Sequence, residues 1–461
     1  MTHKKKTIFI PVSGRPQSRD ILRTDVLKTL CKAEDVLIVV FVKSEKVNHY
    51  RKEFQYPNLI FEGIDFDRFP ISRIDTLFNT ISMYYVNTTT GRFLRKLWFW
   101  HEEKAPIKLF VSRIMLVVFG GIRPLRALMR KLDYHFVRDE RFAEHFEKYK
   151  PDLIFAPNIA LPLDRSFLRH AKGRNVVTVG MIKSWDNITY AKYPYRILPD
   201  TLICHNHIIE KEAMDYLDMP KDRIFVSGMP QHDFYINETR STRTEFCKRF
   251  PIPEDSRIIL FTSQGSVANK NEWQVLVMLA RALDEKKLPE DIVIIFRQHP
   301  TEKMALENIP NHKRIIIDDS KTNLSEGDVD FSEILTHDMV HLADSLHYAD
   351  VIVTTTSSIS IDGSTFDTPV INISFDGWEK LPFHLSVRRK FTKHHAHYQH
   401  IVNSGGIYLA PTFDDLCIGI NRYLEHPEYE REGRKRIVKE QCFTHDGKSG
   451  TRLAQCILKH L

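Results

Sequence analysis

The sequence predicts an α/β protein of two consecutive parallel sheets with a ligand cleft between them. Three observations predict it. Short apolar runs of strand length alternate with helical patterns twice along the chain, as parallel sheets covered by helices require. A polar, charged passage from Asn237 to Arg257, including FPIPEDSR, divides the two series. The chain has 461 residues, more than one hydrophobic core usually organises, so two domains are the default.

In the first series TIFIPVS (Thr7 to Ser13), VLIVVFV (Val36 to Val42) and LIFEGI (Leu59 to Ile64) read as strands, followed after a long interruption by LIFAPN (Leu153 to Asn158), VVTVGMI (Val176 to Ile182), TLICHN (Thr201 to Asn206) and RIFVSG (Arg223 to Gly228). The second series has IILFTS (Ile258 to Ser263), IVIIFRQ (Ile292 to Gln298), RIIID (Arg314 to Asp318), VIVTTT (Val351 to Thr356) and VINIS (Val370 to Ser374), with a helix over Glu272 to Glu285. These are two Rossmann-like domains, 1–236 and 237–461, and ligands of such sheets bind at the carboxyl ends of the strands.

The interruption, about 66–150, reads as a basic helical insertion in the first domain. Between Arg92 and Lys131, ten Lys/Arg stand against Glu102 and Glu103, a net charge of plus eight where the whole chain carries plus seven. Aromatic and aliphatic residues interleave with these cations, a mixture that suits peripheral contact with an anionic membrane through 92–131. An ordinary helical insertion with solvated cations fits equally. The longest uncharged run, Ile114 to Ile122, falls short of the roughly 20 apolar residues that span a bilayer. No nucleic-acid motif accompanies the patch, so no nucleic-acid partner is expected. The six cysteines show no CxxC pair and no zinc-type Cys/His spacing, which predicts free thiols in a reducing compartment. MTHKKKTIFIPVS reads as a first strand rather than a signal peptide. The expected location is cytoplasmic, and the membrane reading of the insertion would add peripheral contact with the inner face of the plasma membrane.

The most informative stretch is ADVIVTTTSSISIDGSTFDTPVIN, from Ala349 to Asn372. A buried run delivers Thr354 to Ser358 to a helix mouth, where unpaired N–H groups and the helix dipole favour an anion. Thr356, Ser357 and Ser358 are therefore predicted to hold a phosphate. Asp362, one helical turn on, can accept hydrogen bonds from a ribose or sugar hydroxyl. FTSQGS offers Ser263, Gln264, Gly265 and Ser266 to a phosphate through backbone N–H groups and hydroxyls. RQHP places the planar fork of Arg297, and His299, at the next strand end; a histidine bonded to backbone is the plain alternative for His299.

In the first series, Gly14 and Arg15 follow strand one and let a substrate approach the backbone, although Arg15, Arg19 and Arg23 equally suit salt bridges to Asp20 and Asp25. KSWDN puts Trp185 beside Asp186, an aromatic platform next to a carboxylate, as sugar recognition and general-base work require; capping of the following turn is the alternative for Asp186. SGMPQHDFY reads first as a structural turn, with His232 and Asp233 within reach of the cleft. The histidines of KHHAHYQH (Lys393 to His400) lack a carboxylate or cysteine partner in register, so no metal is predicted. No P-loop, GxGxxG, GxSxG or HExxH is present, against kinases, dehydrogenases, α/β-hydrolases and zincins.

RQHP, ADVIVTTTSSISIDGSTFDTPVIN and GMPQHDF together resemble the GT-B glycosyltransferases, in particular the bacterial surface-polysaccharide branch similar to CDP-glycerol glycerophosphotransferases and UDP-sugar 2-epimerases. The resemblance lies mainly in the second domain. It implies a nucleotide-donor domain at 237–461 and an acceptor domain at 1–236, with Arg297, His299, Ser357, Ser358 and Asp362 on the donor side. Asp362 stands where many members carry glutamate. Asp186 as general base follows from position alone. The expected function is a metal-independent glycosyltransferase without a cofactor, moving a sugar from a nucleotide-diphosphate sugar to a glycan or lipid-linked acceptor in surface polysaccharide synthesis. The alternatives are a CDP-polyol phosphotransferase, a UDP-sugar epimerase, or a non-catalytic nucleotide-sugar-binding protein.

Overall fold

The computed structural model describes residues 5–65, 72–191, 193–265, 269–299, 304, 306–318 and 334–461. They fall into two compact units: Met1–Ile236, Ser332–Ile334 and Gln441–Leu461 form unit 1, and Asn237–Phe331 and Leu335–Glu440 form unit 2.

Unit 1 holds β1 (Lys6–Pro11), β2 (Val36–Lys43), β3 (Leu59–Ile64), β4 (Leu153–Ala156), β5 (Val177–Met181), β6 (Thr201–Cys204) and β7 (Ile224–Val226), all parallel, in the order β3-β2-β1-β4-β5-β6-β7. Unit 2 repeats the plan with β8 (Arg257–Thr262), β9 (Ile292–Arg297), β10 (Ile315–Asp318), β11 (Val351–Thr354), β12 (Val370–Ile373) and β13 (Tyr408–Ala410), in the order β10-β9-β8-β11-β12-β13. In both sheets the chain winds outward from its first strand and then returns to that strand's other side. This leaves a switch point, β1/β4 in unit 1 and β8/β11 in unit 2, where ligands of such sheets bind. The inner strands are apolar without alternation because helices cover both faces: Ile8, Phe9, Ile10, Ile259, Leu260, Phe261, Val351, Ile352 and Val353 are fully buried. β13 went unpredicted, being three residues long with Leu409 exposed.

The second domain expected at 237–461 ends earlier in the structure, because Gln441–Leu461 belongs to unit 1. Its helix Ser449–Lys459 packs on the helix Asp25–Cys31, with Leu453, Ala454 and Ile457 in one core with Val26, Leu27 and Leu30.

Between β3 and β4 lie the helices Arg73–Ser82, Thr89–Lys96, Pro106–Met115, Arg123–Phe136 and Ala143–Tyr149. Part of the positive charge there is internal. Arg126 is buried and donates to Asp218 at 2.6 and 2.5 Å, and Arg130 reaches the same carboxylate at 2.9 Å. Arg92, Lys96, Lys104, Lys108, Arg113, Arg123 and Lys131 are exposed. So are Trp98, Trp100, Ile107, Phe110, Ile114 and Val117. Among the described residues no helix is long and apolar enough to cross a membrane.

Candidate functional site

At the switch point of unit 2 the turns after β8 and β11 are tied together, since the Gln264 side-chain amide donates to the carbonyl of Thr356. The turn after β8 is shaped by a residue the sequence reading missed. Glu272 opens the helix Glu272–Asp284 and is buried. It accepts hydrogen bonds from the Ser263 hydroxyl and, at 3.1 Å, from the backbone N–H of Gln264. The N–H of Gly265 donates to Ser263 Oγ at 3.0 Å, with Gly265 at φ +88°, a left-handed conformation that glycine adopts without strain. These donors were predicted to cradle a phosphate; in the structure they are engaged within the turn. Ser266 lies outside the described residues. Lys390 brings a cation to this turn, its Nζ donating to Gln264 Oε1 at 3.0 Å. Burial drives the Glu272 carboxyl up to about 7, against the Ser263 and Gln264 hydrogen bonds and the Lys390 charge.

The turn after β11 leads into the helix Ile359–Thr365. Ser357 Oγ accepts from Ile359 N at 3.3 Å, while the Ser358 carbonyl accepts from Ile361 N at 2.8 Å and Asp362 N at 3.0 Å. Asp362 sits in the first helical turn and is buried. A buried network holds the turn from beneath: Tyr398 Oη donates to Asn372 Oδ1 at 2.6 Å and lies 2.9 Å from Ser360 Oγ and 3.2 Å from the Thr355 carbonyl. Arg297 closes β9 in an ion pair, its Nη1 2.6 Å from Asp318 Oδ2, and His341 Nε2 is 2.8 Å from the other oxygen. Burial pushes Asp318 up, but Arg297 and His341 outweigh it and hold the carboxyl below the ordinary carboxylate range. His299 is half-buried two residues beyond Arg297; Pro300, the end of the RQHP motif, lies outside the described residues.

At the switch point of unit 1, side chains bridge the turns after β1 and β4. Ser13 donates through N and Oγ to Gln17 Oε1 at 2.9 and 2.6 Å, Gln17 Nε2 donates to Asp164 Oδ2 at 3.2 Å, and Asp164 accepts from Asn158 N at 2.7 Å. Burial raises Asp164 to about 8. Gly14 is extended, φ −172°, and an added Cβ would make an ordinary contact with Pro16 Cδ at 3.9 Å, so the position does not require a glycine. Arg15 is half-buried at the start of the short helix Arg15–Gln17. Arg19 pairs with Asp20 at 2.6 Å, and Arg23 pairs with Glu53 at 2.7 Å.

After β5, Trp185 packs against the cluster containing Ile182, Ile188 and Tyr195. Asp186 is half-buried, and its Oδ1 accepts from Ser184 Oγ at 2.6 Å. The following turn is closed by the Asp186 backbone carbonyl, which accepts from Tyr190 N at 3.0 Å. Next to it Lys183 is ion-paired with buried Asp20; burial opposes the Asp20 charge, but Arg19 and Lys183 prevail and lower its carboxyl to about 2. His205, after β6, is buried; burial lowers it to about 3, and Lys183 and His232 add to the effect. The GMPQHDF turn enters the helix Pro230–Asn237, where Asp233 Oδ2 accepts from Gly450 N at 2.7 Å and so holds the start of the C-terminal helix.

A family model described as CDP-Glycerol:Poly(glycerophosphate) glycerophosphotransferase matches residues 198–459. The match takes in all of the second sheet, Arg297, His299 and Asp362, and begins beyond Asp186. No curated protein matches the chain. The solved structure of S. aureus MnaA with UDP is similar at TM-score 0.55 and 12% identity, covering 99% of this chain and 98% of that one. The Neisseria meningitidis UDP-GlcNAc 2-epimerase bound to UDP-GlcNAc is similar at TM-score 0.58 and 10% identity, over 98% of this chain and 100% of that one. The wall teichoic acid polymerase TagF is similar at TM-score 0.52 and 12% identity, over 99% and 89%. At such identities the likeness speaks for the fold, the GT-B pair of Rossmann-like domains predicted from the sequence. The family model matches more than half of the chain, and the protein belongs to the CDP-glycerol:poly(glycerophosphate) glycerophosphotransferase family, a family of transferases.

Proposed function

We propose that the chain transfers a polyol phosphate from a CDP-linked donor to a polymer or lipid-linked acceptor, with unit 2 holding the donor and unit 1 the acceptor. The observation that carries this reading is the switch point of unit 2, where Gln264 joins two hydroxyl-rich turns and brings Lys390 to them. Family membership supports the CDP-linked donor. In this reading Arg297, His299 and Lys390 balance the diphosphate charge, the hydroxyls of Thr356, Ser357 and Ser358 bind its oxygens, and Asp362 accepts from the ribose. Asp186 takes the proton of an acceptor hydroxyl lying on the Trp185 ring. That oxygen attacks the phosphorus bearing the polyol, its bond to the bridging oxygen breaks, and CMP leaves.

Sugar transfer is the second reading, supported by the UDP and the UDP-GlcNAc bound to neighbours that share the fold. There the acceptor oxygen attacks the anomeric carbon and a nucleoside diphosphate leaves. Calorimetry and turnover test the assignments: His299→Ala is expected to lose donor binding, and Asp186→Asn to keep donor binding while losing turnover. Unchanged affinity in the first variant, or full turnover in the second, contradicts that residue's role.

The exposed Trp98, Trp100, Ile107, Phe110, Ile114 and Val117, interleaved with exposed Lys96, Lys104, Lys108 and Arg113, support docking of this helical segment on an anionic bilayer.

A further inference from the structure

Outside both switch points, unit 1 gathers three metal-competent side chains from distant parts of the chain. His232 lies on the helix Pro230–Asn237, and Cys442 and His445 lie between the helices Arg431–Gln441 and Ser449–Lys459. One ligand atom from each falls within 4.8 Å of the other two. His232 Nδ1 and Cys442 Sγ are 3.2 Å apart. His232 and Cys442 are buried and His445 is half-buried. Tetrahedral bonds of about 2.0–2.3 Å to nitrogen and sulfur set ligand atoms roughly 3.3–3.8 Å apart; the 3.2 Å pair is already near that spacing, and the other separations, within 4.8 Å, close by at most about 1 Å.

The segments that carry these residues are anchored by groups other than the ligand atoms. Asn206 Nδ2 donates to the Gln441 carbonyl at 3.0 Å, next to Cys442, and Arg452 Nη1 holds Asp446, next to His445, at 2.7 and 2.8 Å. Asp233, beside His232, accepts from Gly450 N at 2.7 Å. Such anchoring positions first ligands ahead of the ion. Cys442 and His445 also form a C-x-x-H pair, a spacing overlooked in the sequence reading, which found no zinc-type arrangement.

We propose that His232, Cys442 and His445 bind a divalent transition metal of the zinc class. Two imidazoles and one thiolate suit a borderline ion better than magnesium or calcium. The fourth position takes water, and the Cys442 proton is released when the thiolate binds. The ion would tie the C-terminal segment to unit 1, a role separate from donor binding in unit 2.

The test uses the full chain, stripped with a chelator and dialysed. Zinc titration by calorimetry is expected to give one equivalent, and cobalt to give a thiolate-to-metal charge-transfer band. Cys442→Ser is expected to abolish the band, and His445→Gln to weaken zinc binding by at least about tenfold. Near-UV circular dichroism checks that His445→Gln, at the half-buried position, keeps its fold. Cys417→Ser, which alters a buried cysteine of unit 2, is expected to bind zinc as the unaltered chain does. Absence of saturable binding, or a band and affinity unchanged in both Cys442→Ser and His445→Gln, overturns the proposal and leaves the 3.2 Å contact as a thiol–imidazole hydrogen bond.

Discussion

Glu272 decides the chemistry of the turn after β8. Its carboxyl, raised by burial from 4.5 to about 7, holds a proton in the folded protein that the unfolded chain has already released. Stability therefore falls as pH rises from about 4.5 to about 7, because the native state binds more protons across that window. Glu272→Gln removes the titration, and urea unfolding over this range is expected to show a smaller fall for the variant. Equal slopes would mean that the carboxyl ionises normally in the fold. The turn itself was legible in FTSQGS, but its internal bonding was not. The partner of Ser263 and Gln264 lies several residues on, where Glu272 reads as an ordinary helix-start acid. The same holds for Arg297, whose fork suits a phosphate in sequence and in the structure is shared with Asp318. It holds too for His232, which meets Cys442 only because the C-terminal segment returns to unit 1.

At the scale of elements, the strands were readable because burial on both faces makes each an unbroken apolar run. Helix docking was less so. The helix Ile359–Thr365 approaches the sheet through Gly363, where an added Cβ would stand 2.5 Å from Ile352 Cδ1 and 3.1 Å from Val370 Cγ2. Gly363→Ala is expected to cost about 1–3 kcal/mol in urea unfolding by overpacking this seam; a stability equal to the unaltered chain's would show that the seam has slack. In the basic helices, composition did not separate Arg126 and Arg130, which serve Asp218, from cations exposed to the surroundings. Lys96 and Arg113 are of the exposed kind. Reversing both to Glu is expected to weaken sedimentation with anionic vesicles by more than about tenfold, at about 1 kcal/mol per cation, and to leave the neutral-vesicle signal unchanged. Unaltered binding to anionic vesicles would place the membrane contact elsewhere or nowhere.

For the whole molecule, the two-sheet plan and the family were both open to sequence reasoning, since strand runs set the one and RQHP with the Thr/Ser-rich turn pointed to the other. Membership of unit 1 by Gln441–Leu461 was not. An amphipathic helix announces that one face is buried and says nothing of which sheet buries it. The nature of the transferred group also escapes local pattern, because a GT-B donor domain accommodates several nucleotide-linked donors. The reacting centre is phosphorus in one reading and the anomeric carbon in the other, so the leaving groups differ. The most direct measurement is the nucleotide released when the protein is incubated with a CDP-linked polyol and a polyol-phosphate-primed acceptor. Acceptor-dependent release of CMP is the expected result, lost in Asp186→Asn; release of a nucleoside diphosphate from a nucleotide sugar, with no CMP from the CDP-linked donor, would contradict it.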